Sequence, residues 1–177
     1  APVFNSNRMV QEYTEQFYIP ASQRARRLKE ANLKESIELA RKKDQLRAAW
    51  GQLRIEEVKT HTLKPIGVRE SLDVDVVANL DGLLPQDIRV QVYTGLLDSD
   101  GRLHEGEATD MTHQDDLGQS RHRFTGSITP QQSGRHGFAI RIVAGGQMFE
   151  GVIEPGLILW ENGAVPVKPR DHLVGAV

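Results

Sequence analysis

From Leu53 onward, the apolar residues of this chain recur at every second position, and that spacing restricts the fold more than any other feature. The segments QLRIEEVKT, SLDVDVVANL, IRVQVYTGLL, RHRFTGSI and GFAIRIVAG all alternate apolar with polar side chains. In the second, Leu72, Val74, Val76 and Ala78 point one way, with Asp73, Asp75 and Val77 opposite. In the third, Ile88, Val90 and Val92 oppose Arg89, Gln91 and Tyr93. A period of two with one apolar face specifies antiparallel strands that bury one side and wet the other. Turn formers separate them: Asp81-Gly82, Leu84-Pro85, Asp98-Ser99-Asp100-Gly101, Ser133-Gly134 and Gly145-Gly146. The segment GLILW at 156–160 reads as a last strand. Six or seven short strands in about 110 residues predict an immunoglobulin-like β-sandwich.

The N-terminal part follows another period. Ser6 and Asn7 are good helix caps, and Met9, Val10, Tyr13 and Phe17 then share one helical face, away from Gln11, Glu12, Glu15 and Gln16. Pro20 is expected to end this short helix near residue 18. Ser22 can cap a second helix over Gln23 to Trp50, a stretch without Gly or Pro and rich in Arg, Lys, Glu, Ala and Leu. At 1.5 Å per residue that helix would reach roughly 40 Å. Its apolar stripe, Leu28, Ala31, Ile37, Ala40, Leu46 and Trp50, is broken, and Gly51 is expected to end it. The expected fold is therefore mainly β with N-terminal helices, one short and one long, before the sandwich. The expected divisions are a helical segment at 1–51, the sandwich at 52–161, and a loose tail at 162–177 containing Gly163, Pro166 and Pro169. A polar, aromatic helix at the start with no core of its own suggests the C-terminal piece of something longer.

Composition removes several classes of function. The chain of 177 residues has no cysteine, so disulfides, thiol nucleophiles and cysteine metal sites are excluded. A formal charge of −2 gives no reason to expect nucleic acid or an anionic membrane. The basic residues of the long helix alternate with Glu30, Glu35, Glu38 and Asp44, as on a solvated face. No apolar run reaches the roughly 18–20 residues of a membrane helix, and no secretory pattern opens the chain. The expected setting is cytoplasmic.

Reactive groupings are scarce. Asp73 with Asp75, and Asp115 with Asp116, are the only paired carboxylates of interest; the first pair falls on a wet strand face and the second in a loop before Gly118. The six histidines show no HxH or HExxH spacing, so no metal site is expected. DSDG at 98–101 resembles the start of a calcium loop, but the later acidic ligands are missing, and a tight hairpin turn explains it better. There is no GxSxG, P-loop or GxGxxG. Tyr93, Phe124 and Trp160 would stack on sugar rings if they shared one exposed face; the plainer alternative is core or edge packing.

The segment FNSNRMVQEYTEQFYIPA at 4–21 resembles the C-terminal segment of bacterial α-glucan (glycogen/maltodextrin) phosphorylases, especially the long-chain branch. Phe4, Asn5, Ser6, Arg8, Met9, Val10, Glu12, Tyr13, Phe17, Tyr18, Pro20 and Ala21 carry the pattern. DGLLPQDIRVQVYTGLLDSDGRL and SGRHGFAIRIVAG are similar to two later blocks of that branch, in the same order, so the likeness runs from about residue 3 to 161. The resemblance implies a parent glycosyltransferase of two Rossmann-like domains. A lysine of the second domain would hold pyridoxal 5'-phosphate, and inorganic phosphate would cleave α-1,4 bonds to glucose 1-phosphate. No motif of that catalytic or cofactor machinery occurs here, so no catalytic, cofactor-binding or metal residue is assigned. The first helix would dock through Met9, Val10, Tyr13 and Phe17 on upstream phosphorylase domains or another subunit. The chain alone would be inactive, with the sandwich an accessory domain. The alternative is a free-standing carbohydrate- or protein-binding module, with α-glucan as a possible partner.

Overall fold

The computed structural model describes residues 6–30, 34–61, 66–146, 149, 154, 156–161 and 170–175. Its contacts divide the chain into two compact units, 1–45 and 46–177.

The first unit is helical. Helix α1 (Ser6–Tyr13) runs into a π-helical turn at Thr14–Tyr18 and then into α2 (Ile19–Glu30). The expected stop at Pro20 does not occur. Proline in a regular helix has no N–H to offer and pushes its ring against the carbonyl four residues back. Here the preceding turn is widened, with the Ile19 N–H donating to the Thr14 carbonyl five residues back, and the helix passes through Pro20. Ser22 does not cap a new helix; inside α2 its hydroxyl donates to the Ile19 carbonyl at 2.9 Å. The long helix is described in two parts, α2 and α3 (Lys34–Trp50), with 31–33 outside the described residues.

The second unit begins with the last turn of α3. Leu46, Trp50 and Leu53 are buried, and Arg47 pairs with Glu154 at 3.4 Å, so the end of the helix belongs to the sandwich. The strands are β1 (Arg54–Thr60), β2 (Ile66–Gly67), β3 (Leu72–Asn79), β4 (Ile88–Leu97), β5 (Leu103–Asp110), β6 (Thr112–Gly118), β7 (Arg121–Ile128), β8 (Gly134–Ala144), β9 (Ile158–Trp160) and β10 (Arg170–Gly175). One sheet has the order β1-β3-β7-β6; the other is β2-β10-β8-β4-β5, with β9 also paired to β8. All pairings are antiparallel except β10 with β2. A four-stranded sheet in the order β1-β3-β7-β6, facing a sheet built on β4 and β8, is the immunoglobulin-like arrangement.

The alternation places the core as expected. Leu72, Val74, Val76 and Ala78 of β3 are at most 1% exposed, and Val90, Val92, Ile140 and Ile142 are as deeply buried. Val77, expected on the wet face, is also buried. The Asp81-Gly82 turn has both φ angles positive, at 47° and 85°, and the Leu83 N–H donates to the Leu80 carbonyl across it. DSDG makes the hairpin between β4 and β5: Asp98 accepts the N–H groups of Asp100 and Arg102 at 2.9 and 2.8 Å.

Four strands lie beyond the five alternating segments and GLILW. β5 and β6 are polar edge strands, and every residue of β6 is exposed, so neither shows the period that marks a half-buried strand. Asp115 and Asp116 therefore lie in β6 rather than in a loop. The β6–β7 hairpin turns at Gln119-Ser120, both with positive φ, although neither is Gly or Asn. Where a loose tail was expected, residues 170–175 form β10; residues 162–169 lie outside the described residues.

Candidate functional site

The carboxylate pairs hold structure together. Asp75 Oδ2 lies 2.8 Å from His61 Nε2, Asp115 pairs with Arg123 at 3.5 Å, and Asp116 accepts the Gly118 N–H at 2.8 Å. Asp73 is exposed. His113 Nε2 lies 3.2 Å from His122 Nδ1, one imidazole donating to the other, and His136 bonds the Gln132 carbonyl. Among the described residues, no three His, Cys, Asp or Glu side chains come together as a metal site would require.

The three aromatics singled out from the sequence separate. Phe124 is 3% exposed in the core of the first sheet, with its ring centroid 5.3 Å from that of His113, and cannot take part in a surface platform. Its place on β7 explains this: it shares the inward parity of Ile128 and pairs with Val76 of β3. Tyr93 and Trp160 do come together, on the outer face of the other sheet. Tyr93 follows the inward Val92, so it points outward. Trp160 pairs with Arg141, which lies between the inward Ile140 and Ile142. The two rings are 5.6 Å apart at 80°, an edge-to-face contact, and both side chains are half-buried.

Residues that the sequence reading had passed over complete this surface. The Arg141 guanidinium lies 5.2 Å from the Tyr93 ring centre and 5.3 Å from that of Trp160. Its Nε donates to Gln91 Oε1 at 2.8 Å, and Gln91 Nε2 donates to Asp110 Oδ1 at 2.6 Å. Trp160, Arg141, Gln91 and Asp110 are register partners across β9, β8, β4 and β5, so they form one row across the sheet. Desolvation pushes the Arg141 guanidinium below its ordinary pKa, with the neighbouring Arg89 adding to it and Tyr93 and Asp110 opposing it. Tyr93 has Ala139 and Ala108 as its partners on the flanking strands. Gly106 gives the ring its place: a Cβ there would lie 2.4 Å from Tyr93 Cζ and 2.7 Å from its hydroxyl oxygen. The parity of Gln91 and Arg141 would have put both on this face; their pairing with Asp110 and Trp160 needed the register.

The docking residues proposed from the sequence are exposed. Met9, Val10, Tyr13 and Phe17 are 53–60% accessible, and Tyr13 and Phe17 are 5.6 Å apart. Tyr18 and Ile19 add 70% and 44% exposure beside them. The pyridoxal 5'-phosphate that the resemblance implies for a parent protein would need a buried lysine, with donor groups around the cofactor's phosphate. The described lysine side chains do not fit: Lys34 is exposed, Lys42 and Lys43 are half-buried on α3, and Lys59 is 65% exposed and paired with Glu57. Among the described residues, no helix is long and apolar enough to cross a membrane.

Comparison with known proteins agrees with this architecture. Residues 50–162 match the family model described as the glycogen phosphorylase C-terminal domain. The chain is 31% identical to a maltodextrin phosphorylase of Thermococcus litoralis over 129 residues, covering 72% of this chain and 15% of that protein. It is 29% identical to a glycogen phosphorylase of Mycobacterium bovis and 28% identical to one of Mycobacterium tuberculosis, each over 159 residues, or 89% of this chain and 18% of theirs. The chain thus spans less than a fifth of the length of these relatives. It belongs to the glycogen phosphorylase C-terminal domain family.

Proposed function

We propose that this chain is an accessory, non-catalytic module of an α-glucan phosphorylase whose substrate is a maltodextrin or glycogen. The helical arm docks on the phosphorylase body through Met9, Val10, Tyr13 and Phe17, and the sandwich is carried as a separate unit. Phosphorolysis to glucose 1-phosphate, and the pyridoxal 5'-phosphate that serves it, belong to the rest of the parent protein. The match of residues 50–162 to the C-terminal domain family carries this reading. The exposure of Met9, Val10, Tyr13 and Phe17 supports the docking part of the reading: four large apolar side chains on one short helical stretch are costly in water and favour burial against a partner.

The test is reassembly. A phosphorylase body prepared without its C-terminal segment is mixed with this chain and followed by size-exclusion chromatography and by glucose 1-phosphate release. The expected result is co-elution that is lost when Tyr13 and Phe17 are both changed to Asp, with no product from the chain alone. Phosphorolysis by the isolated chain, or association indifferent to both substitutions, would refute the reading.

A further inference from the structure

We propose that the outer face of the β9-β8-β4-β5 sheet binds an α-1,4-glucan, with Tyr93 and Trp160 as stacking surfaces and with Arg141 and Asp110, joined through Gln91, reading the hydroxyls. The choice of glucan over another sugar rests on the function proposed above.

The physical case begins with the aromatic pair. A ring needed only for packing ends up like Phe124, 3% exposed. Tyr93 and Trp160 instead stay half-buried on the outer face, at 80° to each other and with the Arg141 guanidinium 5.2 and 5.3 Å from their ring centres, so the solvent-facing part of each ring is what a sugar's C–H face would meet. Small neighbours seat the tyrosine ring. The partners of Tyr93 on both flanking strands are alanines, and Gly106 leaves the volume that the tyrosine ring occupies.

The polar row supplies complementary recognition. A sugar hydroxyl both donates and accepts, so it is served by neighbouring groups that do each. The row offers a donor in Arg141 and an acceptor in Asp110, and the buried Gln91 amide, 6% exposed, links and orients the two. The hydrogen bonds along it, at 2.8 and 2.6 Å, fix these planar groups in place before any ligand arrives. Arg141 uses its Nε within the row. At strand spacings of about 4.8 Å the row together with Trp160 spans roughly 14 Å, enough to follow an oligosaccharide over more than one ring. Its mixed charge argues against a polyanion, because Asp110 sits beside the cations that would have to hold one. Partial burial of Arg141 strengthens hydrogen bonds to a neutral ligand.

Intrinsic fluorescence gives a direct assay. The chain has two tryptophans, Trp50 buried at 8% exposure and Trp160 half-buried on the proposed site, so a ligand at the site perturbs the emission of Trp160. Titration with maltoheptaose is expected to give a saturable change, and glycogen in a native gel is expected to retard the chain. Trp160→Ala should weaken retention about 10-fold and Tyr93→Ala comparably, while Tyr93→Phe, which keeps the stacking face, stays within about 3-fold. Arg141→Met should also weaken binding, and circular dichroism checks that each variant is folded. The proposal is overturned if the native chain is neither quenched nor retarded, or if folded Trp160→Ala binds as well as the native chain. Reassembly with the phosphorylase body is read separately, through the Tyr13 and Phe17 variants, so a failure of one reading is distinguishable from a failure of the other.

Discussion

Changing Gly106 to alanine tests how the surface is built, because its effect should depend almost wholly on one other side chain. Gly106 has no positive φ, so an alanine is permitted by its backbone. The obstacle is the Tyr93 ring, whose Cζ, Cε1 and hydroxyl oxygen would lie 2.4, 2.5 and 2.7 Å from the new Cβ. Ordinary contact begins near 3.4 Å, so the ring has to move by about 1 Å. It can do so, because these atoms are the far end of a side chain that is only half-buried, and the cost is that of moderate overpacking, about 1–2 kcal/mol. For a chain of this size each kcal/mol corresponds to about 2–4 °C in melting temperature. The decisive measurement is a double-mutant cycle. With Tyr93→Ala in place the clash partner is gone, and Gly106→Ala should become neutral or stabilising by up to about 1 kcal/mol through the unfolded chain's lost freedom. Thermal and urea unfolding of the four proteins gives the coupling energy. An equal cost of Gly106→Ala in both backgrounds would refute the claim that the glycine is there for the ring.

Three further variants probe other parts of the molecule. Gly145→Ala should be far more damaging than Gly106→Ala, because the new Cβ would lie 2.5 Å from the Ile88 carbonyl carbon and oxygen, which are backbone and cannot swing away; a loss of about 3 kcal/mol or more is expected in urea unfolding. Phe124→Ala should cost about 3–5 kcal/mol by the same measurement and leave glucan affinity unchanged in whatever fraction stays folded, since Phe124 is core and not platform. Tyr13→Asp with Phe17→Asp should shift the unfolding of the isolated chain by no more than about 0.5 kcal/mol per substitution, because both side chains are more than half exposed.

The architecture was largely legible because its core strands carry their own signal. Val74 and Val76, or Ile140 and Ile142, alternate with polar neighbours for a physical reason: one face of each strand meets the opposite sheet. Strands without that constraint were not legible. β6 is exposed throughout and its hairpin turns at Gln119-Ser120, so neither period nor turn chemistry announces it. The helix through Pro20 was missed for a related reason. Proline's rule assumes a regular turn before it, and a π-turn at Thr14–Tyr18 changes the premise.

For the candidate surface, parity and register carried different amounts of information. Parity alone puts Tyr93 outward, opposite Val90 and Val92, and puts Phe124 inward with Ile128, so the exclusion of Phe124 was available to anyone who extended the alternation along β7. What parity cannot supply is that Trp160 falls opposite Arg141, or Gln91 opposite Asp110. Those juxtapositions depend on where β9 and β5 start pairing, and β5 pairs through an irregularity between Thr94 and Leu96 that displaces the count near Gly106. A one-residue slip of β5 would turn Asp110 to the inner face and break the hydrogen bond to Gln91. The row is therefore a property of register, and the glycine in the irregular stretch, beneath the tyrosine ring, is the sequence's one local trace of it.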